Sequence, residues 1–295
     1  MEILKFERMK KIIAMFILNF LVIASCTKKA DIDLPTADEK LVVTCFISPG
    51  DSVLTAVVRT SKLKYGVIDT ARRNKIYQDV ENAYVSISDG VNSITLPFNL
   101  NEYFYKASTT NFPIVSGKNY FLTVSTPDGK KVTANTTVPS EKLPIELFEI
   151  TEKKADSLFI EFDVNVTVAD IPNQINYVGL YVQNFSSTSL TEPYLYNQNS
   201  FTSFGSFDTD EFVGKTKYVF SSQNFIYEPM RITSAYSYVS ALNCNKDFYL
   251  YNKSVQDATG SGGPFADPVM VYSNIDGGFG CFGAFVVSTQ NKKIR

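Results

Sequence analysis

Cysteine is the residue type in this sequence with the most chemistry to offer, and there are four of them: Cys26, Cys45, Cys244 and Cys281. No C-x-x-C spacing occurs, so neither a redox pair nor a zinc knuckle is written into the chain. The sequence has no His and no Trp. Every Ser-His or Cys-His nucleophile pair and every His-ligated metal site is thereby excluded. Acidic residues are plentiful, with Asp208-Thr209-Asp210-Glu211 the tightest run. It lacks the loop spacing of a calcium-binding EF-hand, and no carboxylate pair singles itself out for glycoside hydrolysis. Gly260-Ser261-Gly262-Gly263 and Gly277-Gly278-Phe279-Gly280 lack the strand–helix setting and Lys-Ser/Thr ending of a phosphate loop, so they are read as turns or close backbone packing. No cofactor and no metal are expected.

Cys26 differs from the other three by its context. Lys10 and Lys11 precede an apolar run, Ile12 to Ala24, and Ile23-Ala24-Ser25-Cys26 closes it. Positive, apolar and small residues in that order form a secretory signal. The run is shorter than the roughly 20 apolar residues a permanent span needs. The last four residues resemble a bacterial lipobox, in which the Cys is acylated through sulfur and becomes the first mature residue. Residues 1–25 are then a signal peptide, Met1 and Met9 both serve as candidate starts, and Thr27 to Asp38 is a polar tether. The expected membrane contact is the lipidated N-terminus. Removing the signal takes away more basic than acidic side chains, and the whole chain already stands at −2. That balance argues against a nucleic-acid partner.

An exported chain meets an oxidising compartment, where paired thiols persist. Cys244 and Cys281 flank the one substantial helical pattern and are the candidate disulfide. Cys45 sits within an alternating run and reads as a small core residue.

The elements that must position these residues are mostly strands. The 295 residues are rich in Phe (23) and Tyr (17), types that suit a pleated, half-buried surface. Leu41–Ser48 and Val53–Thr60 flank Pro49-Gly50-Asp51, and Asn119–Thr126 and Lys131–Val138 flank an Asp128-Gly129 turn; both pairs read as hairpins. Short alternating runs through residues 40–140 predict an immunoglobulin-like β-sandwich. Ser140 to Pro144 reads as a linker, and residues 145–295 as a second β-rich domain. Its clearest strand is Ser157–Val168, with Leu158, Ile160, Phe162, Val164, Val166 and Val168 on one face. Asn176–Gln183, Lys217–Ser221, Met230–Leu242, Val269–Asn274 and Cys281–Thr289 are further strands. Phe248, Tyr251 and Val255 give residues 246–258 helical spacing. Ser186 to Thr216 has little period and reads as a long loop or a set of small excursions, in which Tyr194, Tyr196, Phe201, Phe204 and Phe207 form a candidate ligand-contact platform, since loops on rigid sandwiches often carry binding.

The lipobox, Asp31-Ile32-Asp33-Leu34-Pro35, the run Leu41 to Asp51, Asn82-Ala83-Tyr84-Val85, Gly117 to Pro139 and Pro264 to Phe285 together resemble the Bacteroidetes lipoproteins called domain of unknown function 4249. Cys45-Phe46 departs from the small-then-aromatic pair expected there. The resemblance implies an outer-membrane lipoprotein associated with a TonB-dependent transporter in nutrient uptake. Thr27-Lys28-Lys29 leaves the membrane face, periplasmic or external, undecided. The expectation is a non-enzymatic binding or accessory protein; a surface adhesin and a carboxylate-based hydrolase are the alternatives.

Overall fold

The computed structural model describes residues 38–61, 78–156, 158–187, 196–207, 217–227, 234–260 and 270–294. Cys26, the signal segment, Tyr194 and the acidic run 208–211 lie outside the described residues.

Strict alternation builds most of the strands. β1 (Leu41–Ile47) and β2 (Val53–Thr60) form a hairpin over Gly50, which takes a positive φ of 92°. β3 (Gln78–Asp79) pairs with β2. β4 (Tyr84–Ser88) and β5 (Ser93–Leu96) form a second hairpin, and β6 (Phe98–Asn99) and β7 (Phe104–Ser108) a third pair. β8 (Asn119–Ser125) and β9 (Lys131–Thr137) close over the Asp128-Gly129 turn as expected. Then follow β10 (Ile145–Ala155), β11 (Phe159–Ala169), β12 (Asn176–Ser187), β13 (Tyr196–Phe207), β14 (Lys217–Tyr227) and β15 (Ser234–Cys244). Helix α1 (Lys246–Gly260) and β16 (Phe279–Lys293) complete the chain. The fold is mainly β, with α1 as the helix among the described residues.

Three sheets result among the described residues. Nine strands make the largest, in the order β13-β12-β15-β16-β1-β2-β7-β6, with β3 beside β2; β10-β11-β14 and β5-β4-β8-β9 are the others. β16 is the strand that unites the large sheet. Its first half runs parallel to β1 and its second half antiparallel to β15. Residues 279–293, allotted by sequence to the second domain, therefore also finish the core of the first: Phe282, Ala284 and Val286 pack with Leu41, Val43, Cys45 and Ile47. Glu39–Arg295 is one compact unit by its contacts.

Directly paired residues share a face of a sheet, so the registers say which side each small sheet covers. Val286 and Ser288 lie on the same side as Asn243 and Ala241. Both small sheets therefore cover one face of the large sheet, side by side. β5-β4-β8-β9 encloses a core with Val85, Ile87, Tyr120, Leu122 and Val124. β10-β11-β14 encloses another with Phe162, Val164, Val166, Val178, Leu180 and Val182. Burial of each such side chain contributes about 1.5–3 kcal/mol. Residues 140–144 are fastened to the same face: Asn243 Nδ2 donates to the Glu141 carbonyl at 2.9 Å, and Ser288 Oγ to that of Leu143 at 2.7 Å.

Several sequence readings change in detail. In β11, residues 160 to 168 alternate as expected, but Leu158 precedes the strand and is exposed. β10 shows mostly exposed positions and so carries no alternating signal; its partner β11 supplies the order. Residues 270–274 are not a strand. Backbone N–H of Tyr272 binds Ser254 Oγ at 2.9 Å, and Asn274 exchanges two bonds with Phe282, so this stretch is strapped to α1 and β16 instead.

Candidate functional site

α1 lies on the face of the large sheet opposite the two small ones, and a groove opens between them. Asn245 starts the helix. Its Oδ1 accepts the Phe248 N–H at 3.1 Å and the Ala284 N–H at 3.1 Å, while its Nδ2 donates to Thr136 Oγ1 at 2.8 Å. One amide thus caps the helix and ties it to β16 and β9. Phe248 then meets the sheet at Gly283, the residue paired with Phe46. The Phe248 ring stands edge-on to Phe46 with centroids 4.8 Å apart, and 5.1 Å from Phe285. Tyr251 adds a further edge contact to Phe46 at 6.0 Å.

Beside this aromatic knot the groove is open and shallow, with a volume of about 360 Å³. Phe46, Phe285 and Val287 form one end of its floor, and Leu242, Ser240, Tyr181 and Gln183 continue it across β15 and β12. Phe248 and Asn252 are the helix wall. None of these nine side chains carries a charge at neutral pH. The Tyr181 phenol is pushed up to about 12, first by burial and then by the nearby Cys244 thiol, so it stays protonated. Asn252 Nδ2 is engaged by the Phe248 carbonyl at 2.8 Å. The groove can take up an uncharged, largely apolar group through shape and aromatic contact, with Gln183 and Ser240 offering neutral polar atoms. None of these described residues supplies a general acid or base working near pH 7.

The sequence-predicted site residues fall elsewhere. Cys244 and Cys281 do not form the expected bridge: all three described cysteines are free and buried. Register explains why. Cys244 pairs with Phe285, four residues along β16 from Cys281, which separates the two α-carbons by about 13 Å at strand rise, well past the roughly 7 Å limit for a disulfide. Each thiol has its own neighbour instead, the Leu242 carbonyl for Cys244 and the Asp247 carbonyl for Cys281. Burial raises the pKa of both. Cys45 is a core residue as expected, pushed up to about 12 by burial and secondarily by Asp51.

The aromatic platform is also revised. Tyr196, Phe201, Phe204 and Phe207 belong to strand β13 rather than to a loop, and Tyr194 is outside the described residues. In the backbone register Phe201 pairs with Val182 and Phe204 with Gly179 of β12. The groove residues were missed because they come from widely separated stretches of the sequence, β1, β12, β15, α1 and β16. Phe46 is remote from Phe248 and Phe285 in the chain, and only the parallel β1–β16 pairing joins them. Their one local signal is the helical spacing of Phe248 and Tyr251.

Among the described residues, no group of three His, Cys, Asp or Glu could hold a metal ion, and no helix is long and apolar enough to cross a membrane.

No curated protein matches the chain. Among solved structures, it is similar to a glycosyl hydrolase family 2 member from Bacteroides cellulosilyticus DSM 14838, with 12% identity and a TM-score of 0.25, over 66% of this chain and 26% of that one. A second structure of a glycosyl hydrolase family 2 member from Bacteroides cellulosilyticus gives 12% identity and a TM-score of 0.24, over 66% and 25%. The chain thus spans about a quarter of those proteins, and likeness at this level carries no argument about activity. A family model described as "Domain of unknown function (DUF4249)" matches residues 27–291, nearly all of the sequence after Cys26. This chain therefore belongs to the domain of unknown function 4249 family.

Proposed function

We infer that this protein is a lipid-anchored, non-enzymatic binding or accessory component of the outer membrane, which works in nutrient uptake beside a TonB-dependent transporter. The anchor is Cys26, acylated within Ile23-Ala24-Ser25-Cys26 and followed by a polar tether. Acyl chains contribute about 0.8 kcal/mol per buried CH₂, enough in combination to hold a globular unit at a bilayer. The observation that carries the binding role is the uncharged aromatic groove between α1 and the large sheet. It suits an apolar side chain presented by the partner, and its helix wall is fixed by the Asn245 and Gly283 contacts.

The test is co-purification from outer membrane solubilised in detergent. The expected result is recovery of a β-barrel partner with the wild-type chain. Ser240→Arg, which places a charge in the groove, is expected to release that partner while leaving the chain in the membrane. Cys26→Ser is expected to release the chain itself. Recovery with no barrel partner would remove the accessory role.

A further inference from the structure

The outer face of the β5-β4-β8-β9 sheet is a second surface, independent of the groove and of any transporter. Alternation turns Val85, Ile87, Leu122 and Val124 inward. It leaves an outward row running straight across all four strands, Thr95–Ser86–Thr123–Thr133. Four hydroxyls in register thus occupy the centre of the face. An exposed aromatic ring lies on each side of this row: Tyr84 is 53% exposed and Phe121 44%.

Both rings lean along the sheet rather than away from it. Tyr84 reaches back over the row, where its phenol oxygen accepts the Thr95 hydroxyl at 3.2 Å. Phe121 extends over the β4–β5 turn, its ring edge 3.8 Å from where a Gly90 β-carbon would stand. Phe121 pairs with Ser88, four residues from Tyr84 along β4, so the two anchors are about 13 Å apart along the strand.

Charge confines the choice of ligand. At the rim Lys118 pairs with Asp89 at 3.5 Å and Lys130 with Asp128 at 3.2 Å. At the β9 end Lys131 lies outward in the Tyr84–Ser125 row and Asp276 bridges Thr133, one charge of each sign. The four hydroxyl residues themselves carry no charge, so neither a polyanion nor a basic peptide meets a field of a single sign here. Nor is this the anatomy of a protein interface, whose centre is apolar and whose energetic anchors are seldom Ser or Thr. A ligand with apolar C–H faces for the two rings, and hydroxyls for the row between them, satisfies every group present. We propose that the outer face of the β5-β4-β8-β9 sheet is a docking surface for a neutral, extended polysaccharide, with Tyr84 and Phe121 as stacking platforms and the Thr95–Ser86–Thr123–Thr133 row as the hydroxyl contact.

The test is native affinity electrophoresis of the full-length chain, solubilised in a polyoxyethylene detergent that carries no sugar. The gels contain barley mixed-linkage β-glucan, galactomannan or anionic polygalacturonate. Slowed migration is expected in at least one neutral polymer and not in polygalacturonate, with at least a tenfold weaker retardation for the Tyr84→Ala/Phe121→Ala variant. Both side chains are exposed, so an unchanged melting curve is the folding control. Hydroxyl-radical footprinting of the wild-type chain, with and without the retarding polymer, needs no variant and should show protection at Tyr84 and Phe121. No retardation by either neutral polymer overturns the proposal. So does retardation only by the polyanion, or retardation that the double variant and the footprint leave unmoved. If the double variant instead loses a co-purified protein while no polymer retards the chain, the face docks protein and the proposal is wrong.

Discussion

Gly283 lies directly under Phe248: a β-carbon at Gly283 would stand 2.8 Å from Phe248 Cβ and 3.1 Å from its Cα. The helix rests on the sheet through a missing side chain. Any substitution here has to lift α1, because the obstructing atoms include helix backbone. Gly283→Ala is expected to destabilise the protein by about 1–3 kcal/mol, the usual range for overpacking. It should also move the groove wall. Gly280→Ala is expected to be worse, since its β-carbon would fall 2.0 Å from the Val43 carbonyl oxygen at a φ of +111°. Urea unfolding of the two variants would rank them.

Asn245 joins three elements with one amide, and the prediction separates its two ends. Asn245→Asp keeps an acceptor for the Phe248 and Ala284 N–H groups but loses the donor to Thr136. Asn245→Ala loses all three. A loss of about 2 kcal/mol or more is expected for Ala, as a missing cap is compounded by a buried group left without its partner. Asp should retain part of the difference in the same denaturant titration.

A buried polar link spans the second core. Asn184 on β12 donates to Asn224 Oδ1 on β14 at 2.8 Å, and Asn224 in turn donates to Ser222. Asn184→Leu leaves the Asn224 oxygen buried and unpaired, which is expected to cost about 1–3 kcal/mol. The double variant Asn184→Leu/Asn224→Leu removes both polar groups and should recover part of that loss. A double-mutant cycle in thermal unfolding measures the coupling.

The three buried thiols predict a defined alkaline limit. Their folded pKa values are raised by burial, Cys45 to about 12 and Cys244 and Cys281 also upward. In the unfolded chain a thiol ionises near its ordinary value of about 8.5. Below that pH both states hold the proton and the thiols leave stability unaffected by pH. Above it only the unfolded state ionises, so stability falls as pH rises towards the folded values, by about 1.4 kcal/mol per pH unit for each such group. Urea midpoints from pH 7 to pH 10.5 should show a plateau and then a decline that is shallower in Cys45→Ala.

The same thiols distinguish free cysteine from a bridge. Iodoacetamide should leave Cys45, Cys244 and Cys281 unmodified in the native protein and alkylate all three after unfolding without reductant. Intact-mass spectrometry reads the result. Alkylation of Cys45 alone would establish a Cys244–Cys281 disulfide.

Much of the local structure is legible in the residues themselves. The β1–β2 and β8–β9 hairpins follow from Pro-Gly-Asp and Asp-Gly turns between alternating runs, and Ile160 to Val168 declare a strand with one buried face, because period-2 burial is a local property. α1 is visible from the spacing of Phe248, Tyr251 and Val255. β13 is not, since a strand whose order comes from pairing with β12 needs no period of its own. Register is likewise a relation between distant segments. Only the tertiary structure places Phe46 beside Gly283 and keeps Cys244 and Cys281 apart. Composition and turn chemistry act within a few residues of chain, whereas the groove and the hydroxyl row exist only where strands from separate parts of the sequence come into register.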